Sequence, residues 1–130
     1  MIVLDASALV DVVADRPLKD AVLDRIDGER ILSPGHQLAE VSSALAHLLR
    51  AGDLDLVESE HALAEAASLG QELVVPDAKQ LLRALALADR IRVLDGIYVA
   101  IAEERRCPLV TTDGRLARSN PPCEVHFAGD

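Results

Sequence analysis

Aromatic residues are almost missing from this 130-residue sequence: Tyr98 and Phe127 are the only two, and there is no tryptophan. A protein that binds nucleic acid by stacking bases on aromatic platforms is therefore disfavoured. Positive charge is also short, with 13 Lys+Arg against 22 Asp+Glu and a net charge of −9, which rules out indiscriminate coating of a polyanion. The deficit lies in the first half, where residues 1–65 hold 13 acids and 5 bases; residues 66–130 are nearly balanced, with 9 and 8. Two cysteines, Cys107 and Cys123, are too few for a disulfide scaffold and read as free buried thiols in a reducing compartment. The chain starts on the apolar run Met1–Leu4 with no basic stretch and meets an acid at Asp5. Neither a signal peptide nor a membrane span is expected, and a cytoplasmic location follows.

What is present is aliphatic: 20 alanines and 21 leucines. A chain of this length buries roughly two-thirds of its extended surface, enough for one domain. Short apolar runs bounded by turn residues alternate with helical periodicity, the pattern of an α/β fold with a largely parallel sheet. The expected strands are Ile2–Leu4, Arg30–Ser33, Glu72–Val75, Leu109–Thr111 and Glu124–Phe127. Helices are expected over Ala6–Ala14, Pro17–Ile26, about His36–Arg50, Leu54–Leu69, Asp77–Arg90 and Gly96–Arg105. Asp27-Gly28, Pro34-Gly35, Gly52-Asp53, Gly70, Pro76 and Pro121-Pro122 break the pattern between them.

Four acids stand out by position. Asp5 follows the first strand and Asp113 the fourth, where open parallel sheets place their ligand sites. Asp95 opens a helix, and Glu40 lies early in another. With Leu38, Val41, Ala44, Leu45, Leu48 and Leu49 as the apolar stripe, Glu40 falls about 120° from its centre, near Ser43 and His47. Each acid alone has a plain structural explanation. Asp5 or Ser7 caps the first helix, Asp95 caps the helix from Gly96, Asp113-Gly114 forms a turn, and Glu40 is solvated. Asp11, Asp15, Asp20, Asp24 and Asp27 read as a charged outer face.

Together the four acids imply more. Two like charges about 4 Å apart cost about 4 kcal/mol at an effective dielectric near 20, so their convergence needs raised pKa values or bound cations. Oxygen-only ligands suit Mg²⁺ or Mn²⁺ rather than zinc, and such a site activates water for phosphoryl chemistry.

The segments IVLDASALVD, LAEVSSAL, LDGIYVAIAEE and LVTTDGRLA, in this order and spacing, resemble those of a PIN-domain ribonuclease. Within that superfamily the chain is most similar to the VapC toxins of toxin–antitoxin pairs. The likeness runs from Ile2 to about Phe127 and implies that residues 1–130 form a single PIN domain with strand order 3-2-1-4-5. It implies that Asp5, Glu40, Asp95 and Asp113 are the catalytic, metal-binding acids for one or two Mg²⁺ or Mn²⁺ ions. Ser7 and Thr111 would support them with hydroxyls, and Thr112 more weakly. It further implies endoribonuclease activity leaving a 5′-phosphate and a 3′-hydroxyl, a homodimer, and neutralisation by a VapB-type antitoxin. Gly96 stands where the family usually has alanine, and Leu94 where an aromatic or small polar residue is common.

Arg115 and Arg118, close after Asp113, are candidates to hold a substrate phosphate, or else they balance local charge. With Arg105 and Arg106 they make the C-terminal half the expected RNA-facing side. Tyr98 is one turn beyond Asp95 and within reach of the site, but a lone tyrosine in an apolar helix more often belongs to the core. His36, His47, His61 and His126 carry no paired metal-ligand spacing.

Two other functions compete. A phospho-acceptor receiver shares the length and the acidic Mg²⁺ pocket, but wants paired acids after the first strand and a late lysine. Here Ala6 follows Asp5, and the only lysines are Lys19 and Lys79. A haloacid-dehalogenase-type phosphatase lacks its second aspartate in Asp5-Ala6-Ser7. The remaining alternative is a non-catalytic interaction module that keeps the fold.

Overall fold

The computed structural model describes residues 1–129. Five short strands, β1 (Ile2–Leu4), β2 (Ile31–Pro34), β3 (Glu72–Val74), β4 (Leu109–Thr111) and β5 (Val125–Phe127), form one sheet in the order β3-β2-β1-β4-β5. Every pairing is parallel. The chain builds outward from β1 to β3, then returns to the other side of β1 for β4 and β5. The switch point of the sheet therefore falls between β1 and β4, where a ligand crevice opens beyond the strand ends. A receiver has the order 2-1-3-4-5, so this topology sets that alternative aside.

All residues of β1, β2 and β4 are buried, as expected for strands covered on both faces. Helices α1 (Ala6–Val13), α2 (Lys19–Ile26), α3 (Gln37–Arg50) and α4 (Leu56–Ser68) pack on one another. Helix α5 (Ala78–Ala86) packs on α6 (Val93–Arg105), which lies against β1, β2 and β4. The whole run Asp95–Ala102 of α6 is buried, and its all-round apolar sequence suits a helix sandwiched between the sheet and α5. Among the described residues, no helix is long and apolar enough to cross a membrane. Cys107 and Cys123 are free thiols, one buried and one half-buried.

Most elements begin or end within four residues of the sequence expectation rather than on it, α5 stopping at Ala86 instead of Arg90, and two differences bear on the site. Helix α6 starts at Val93, so Asp95 sits within its first turn rather than capping it. A short helix α7 (Gly114–Ala117) replaces the turn at Asp113-Gly114. Strand β3 ends at Val74, leaving Val75 exposed.

Gly96 is explained by close approach. A Cβ there would lie 3.2 Å from both the Cα and the Cβ of Ala84, so the missing side chain lets the first turn of α6 press on α5. The glycine is thus accounted for by helix packing at the turn of α6 that carries Asp95.

A proline interrupts the middle of the sheet. The register Ile2↔Ile31 and Val3↔Leu32 aligns the nitrogen of residue 34 with the Leu4 carbonyl. Residue 34 is proline and has no N–H to give. Gln37 Nε2 donates to that carbonyl at 3.1 Å, and Ser33 Oγ lies 3.0 Å from it, its one proton shared with the Leu32 carbonyl and Gln71 Oε1. Gln37 is fully buried and also bonds Ser33 and Gln71. The backbone immediately before Asp5 is thereby held by side chains.

Candidate active site

The carboxyl ends of β1 and β4 open into a cleft of about 850 Å³ whose lining includes Asp5, Glu40, Asp95 and Asp113. Four acids separated by up to 108 positions in the chain are thus gathered in one depression.

Asp5 stands at the N-cap position of α1, yet its side chain makes no capping bond. It turns instead toward β4. Ser7 Oγ donates to Asp5 Oδ2 at 2.6 Å and Thr111 Oγ1 to the same oxygen at 2.7 Å. Both hydroxyls also accept from the backbone, Ser7 Oγ from Thr112 N–H and Thr111 Oγ1 from Asp113 N–H, which leaves their own protons for Asp5. Thr112 therefore serves through its main chain, while its side chain lines the cleft. Among the described residues no donor reaches Asp5 Oδ1, and that atom is not sealed from solvent. One oxygen is anchored and the other faces the cleft.

Asp5 is only 4% exposed. Burial pushes its carboxyl up to about 6, against the lowering effect of Ser7 and Thr111, and the charges of Asp95 and Glu40 push the same way.

Glu40, on the first turn of α3, is held by partners from two helices. Tyr98 Oη donates to Glu40 Oε1 at 2.8 Å. His36 Nε2 lies 3.4 Å from that oxygen and 3.2 Å from the Leu94 carbonyl; both are acceptors, so Nε2 carries a proton. The His36 ring meets Tyr98 edge to face at 5.2 Å. Burial raises the Glu40 pKa, but the bonds from His36 and Tyr98 and the charges of His36 and Arg92 outweigh it, and the net shift is downward. The bond to Glu40 is in turn the main cause of a raised His36 pKa. Tyr98 is wholly buried, with its hydroxyl far above the usual tyrosine range, and it is both core residue and donor.

Asp95 is 7% exposed. Arg92 Nε donates to Asp95 Oδ2 at 3.1 Å and Arg92 Nη2 to Oδ1 at 3.3 Å. Asp113 N-caps α7, its Oδ1 accepting from Arg115 N–H at 2.9 Å and Leu116 N–H at 3.3 Å. Asp113, expected in a plain turn, thus caps a helix with one oxygen, and the residue also lines the cleft.

The donor set suits a hard divalent cation in chemistry: carboxylate oxygens, those of Asp5 on an acid disfavoured as an anion chiefly by burial and, less, by the charges of Asp95 and Glu40. Among the described residues, no three His, Cys, Asp or Glu side chains as they stand converge on one metal position. Asp95 and Glu40 face Arg92, and Asp113 caps its own helix.

The basic residues fall elsewhere than the sequence suggested. Arg105 and Arg106 end α6, about 15 Å along the helix axis from Asp95. Arg118 packs over Gly114, and Arg115 borders a separate shallow hollow with Arg90 and Arg92. The cations lining the main cleft are Arg16, Arg50 and Arg92, with His36 and His47. Asp11, assigned to an outer face, also lines it. Two of the missed residues had local signals: His36 is one helical turn before Glu40, and Arg92 one turn before Asp95. Arg16 and Arg50 had none, because the packing of α1 on α3 brings them to the cleft.

A switch-point crevice lined with acids on this topology defines a class. The chain belongs to the PIN-domain family, whose model matches residues 2–120. Its relatives include two ribonucleases of Mycobacterium tuberculosis. Ribonuclease VapC3 is 39% identical over 123 residues, covering 92% of this chain and 88% of its own. Ribonuclease VapC12 is 37% identical over 125 residues, 92% of each chain. The structure of VapBC2 from Rickettsia felis, bound to a DNA fragment from their promoter, superposes with a TM-score of 0.68 at 16% identity over 98% of both chains.

Proposed function

We propose that this chain is a VapC-type toxin, a divalent-metal-dependent endoribonuclease neutralised by a VapB-type antitoxin. The observation that carries this reading is Asp5, a buried acid with one oxygen clamped by Ser7 and Thr111 and the other open to a cleft lined by three further carboxylates. The relatives named ribonuclease VapC support the substrate class, and the VapBC2 complex supports an antitoxin partner.

In this reading Asp5, Glu40, Asp95 and Asp113 hold one or two Mg²⁺ or Mn²⁺ ions. When bound, such an ion supplies Lewis acidity, lowering the pKa of water and offsetting phosphodiester charge. Ser7 and Thr111 fix the direction of Asp5, with the Thr112 backbone behind Ser7. Tyr98 and His36 keep Glu40 ionised and aimed inward. Arg16, Arg50 and Arg92 offset the acidic field for an approaching RNA, a role the exposed Arg115 and Arg118 serve only at the margin. The 130 residues act as one PIN domain in the cytoplasm. A homodimer accounts for the exposed Leu81, Leu82 and Leu85 on one face of α5.

The test is cleavage of RNA by the purified chain. We expect fragments with 5′-phosphate ends in Mg²⁺ or Mn²⁺ and none in EDTA. Asp5→Asn and Asp95→Asn should abolish cleavage while keeping the circular dichroism of the wild type. Undiminished cleavage by either variant overturns the assignment.

A further inference from the structure

Arg92 occupies the N-cap position of α6 but makes no side-chain cap. A residue there commonly bonds the free N–H groups of the helix start. Its guanidinium instead folds over the first turn and grips both oxygens of Asp95. The same Nη2 lies 4.0 Å from Glu40 Oε2. Two of the four cleft acids, on different helices, thus share one cation supplied by the chain. Asp113 adds to its field: the Arg92 pKa is raised first by the bond to Asp95, then by its charge, with further help from Glu40 and Asp113.

The side chain carrying this charge is not trapped. It is 60% exposed, whereas the Asp95 side chain it holds is 10% exposed. An arginine embedded with its carboxylate would be costly to remove; one lying across the mouth of the cleft can leave with little rearrangement. A guanidinium also meets a carboxylate through two oxygens at once, so Arg92 occupies both oxygens of Asp95, the atoms with which that acid would hold a divalent ion.

We propose that Arg92 is a resident counter-cation of the acidic cleft, which a divalent ion must displace from Asp95 and Glu40, and that it thereby sets the metal affinity of the site. This rests on the metal-site reading given above. The arginine neutralises part of the acid cluster while the protein is metal-free, and its displacement makes ion binding an exchange of one cation for another.

Mn²⁺ titration calorimetry on the full chain tests this, with Arg92→Ala, Arg92→Lys and Arg90→Ala compared with the wild type. Arg90 carries the same charge nearby, but bonds the carbonyls of Ser119 and Asn120 and does not line the main cleft. Arg92→Ala should bind Mn²⁺ more tightly on the order of tenfold, from loss of both competition and repulsion. Arg90→Ala should stay within about twofold, since its charge is partly screened from the cleft, and Arg92→Lys should fall between. In the wild type, the Arg92 Nε–H resonance should shift as diamagnetic Mg²⁺ saturates the site.

Equal affinities for wild type and Arg92→Ala, or an Arg92 resonance that ignores saturating Mg²⁺, overturn the proposal alone. Failure of both proteins to bind Mn²⁺ overturns it together with the metal-site reading.

Discussion

Thr111 Oγ1 donates to Asp5 Oδ2 at 2.7 Å, a bond across the β1–β4 seam between residues 106 apart in the chain. It ties the two strand ends that flank the switch point and leaves one carboxylate oxygen of Asp5 for the cleft. The consequence is a buried acid that is well positioned and poorly solvated.

That arrangement predicts a pH-dependent stability cost. The folded pKa of Asp5 is near 6 against an ordinary 3.8, so the folded state holds the proton longer than the unfolded chain. Stability from this group is present at low pH and lost as pH rises from about 4 to 6, amounting to roughly 3 kcal/mol. Asp5→Asn should therefore melt above the wild type at pH 7.5, with the gap closing at pH 4. Saturating Mg²⁺ should narrow the gap at pH 7.5 by stabilising the wild type. Parallel melting curves of the two proteins across this range would contradict the account.

The Tyr98–Glu40 bond gives a second expectation. Tyr98→Phe removes the hydroxyl donor from a buried position and leaves Glu40 with His36 and the more distant Arg92. Urea denaturation should show a loss of about 1–1.5 kcal/mol. The Glu40 pKa, followed by carboxyl-carbon NMR, should rise, because a bond that lowered it is gone. An unchanged Glu40 titration would mean that Tyr98 serves only the core.

Gly96→Ala tests the close approach of α5 and α6. On helix propensity alone the change would stabilise by up to about 1 kcal/mol. The added Cβ meets Ala84 Cα and Cβ at 3.2 Å, atoms fixed to the backbone of a neighbouring helix. The outcome should be a net loss of about 1–3 kcal/mol by chemical denaturation. A stabilised variant would show that α5 yields easily.

Pro34 and Gln37 should be energetically coupled. Gln37→Leu takes the amide donor from the Leu4 carbonyl and strands the Gln71 amide, and should cost about 1–3 kcal/mol. Pro34→Ala supplies the backbone N–H that the parallel ladder otherwise lacks at this carbonyl. In that background the cost of Gln37→Leu should shrink, and a double-mutant cycle measures the difference. Strict additivity would mean that Gln37 does not substitute for the missing ladder bond.

Much of the architecture was legible because local rules agree with one another here. The aliphatic runs of β1, β2 and β4 read as strands since both faces of a parallel sheet are buried. The acids Asp5 and Asp113 read as site candidates because each follows a strand. The start of α6 was misplaced by three residues, as Arg92-Val93-Leu94 carries no capping side chain to mark it. Helix α7 was missed for a similar reason: Asp-Gly is the commonest kind of turn signal, and one turn of helix has no periodicity to detect.

The sequence by itself determined the kind of chemistry available: oxygen ligands, hydroxyls two residues from two of the acids, no aromatic platform, and a deficit of positive charge. Only the tertiary structure decided which groups meet. Periodicity reports which face of a helix is buried, but not which side chain from another element arrives there. Tyr98 reaches Glu40 from 58 residues away, and Thr111 reaches Asp5 from 106. Arg92 met Asp95 through local helical spacing, but its second acid, Glu40, came from another helix. Such pairings depend on how α3 and α6 converge at the switch point of the sheet, and packing of the whole core sets that geometry.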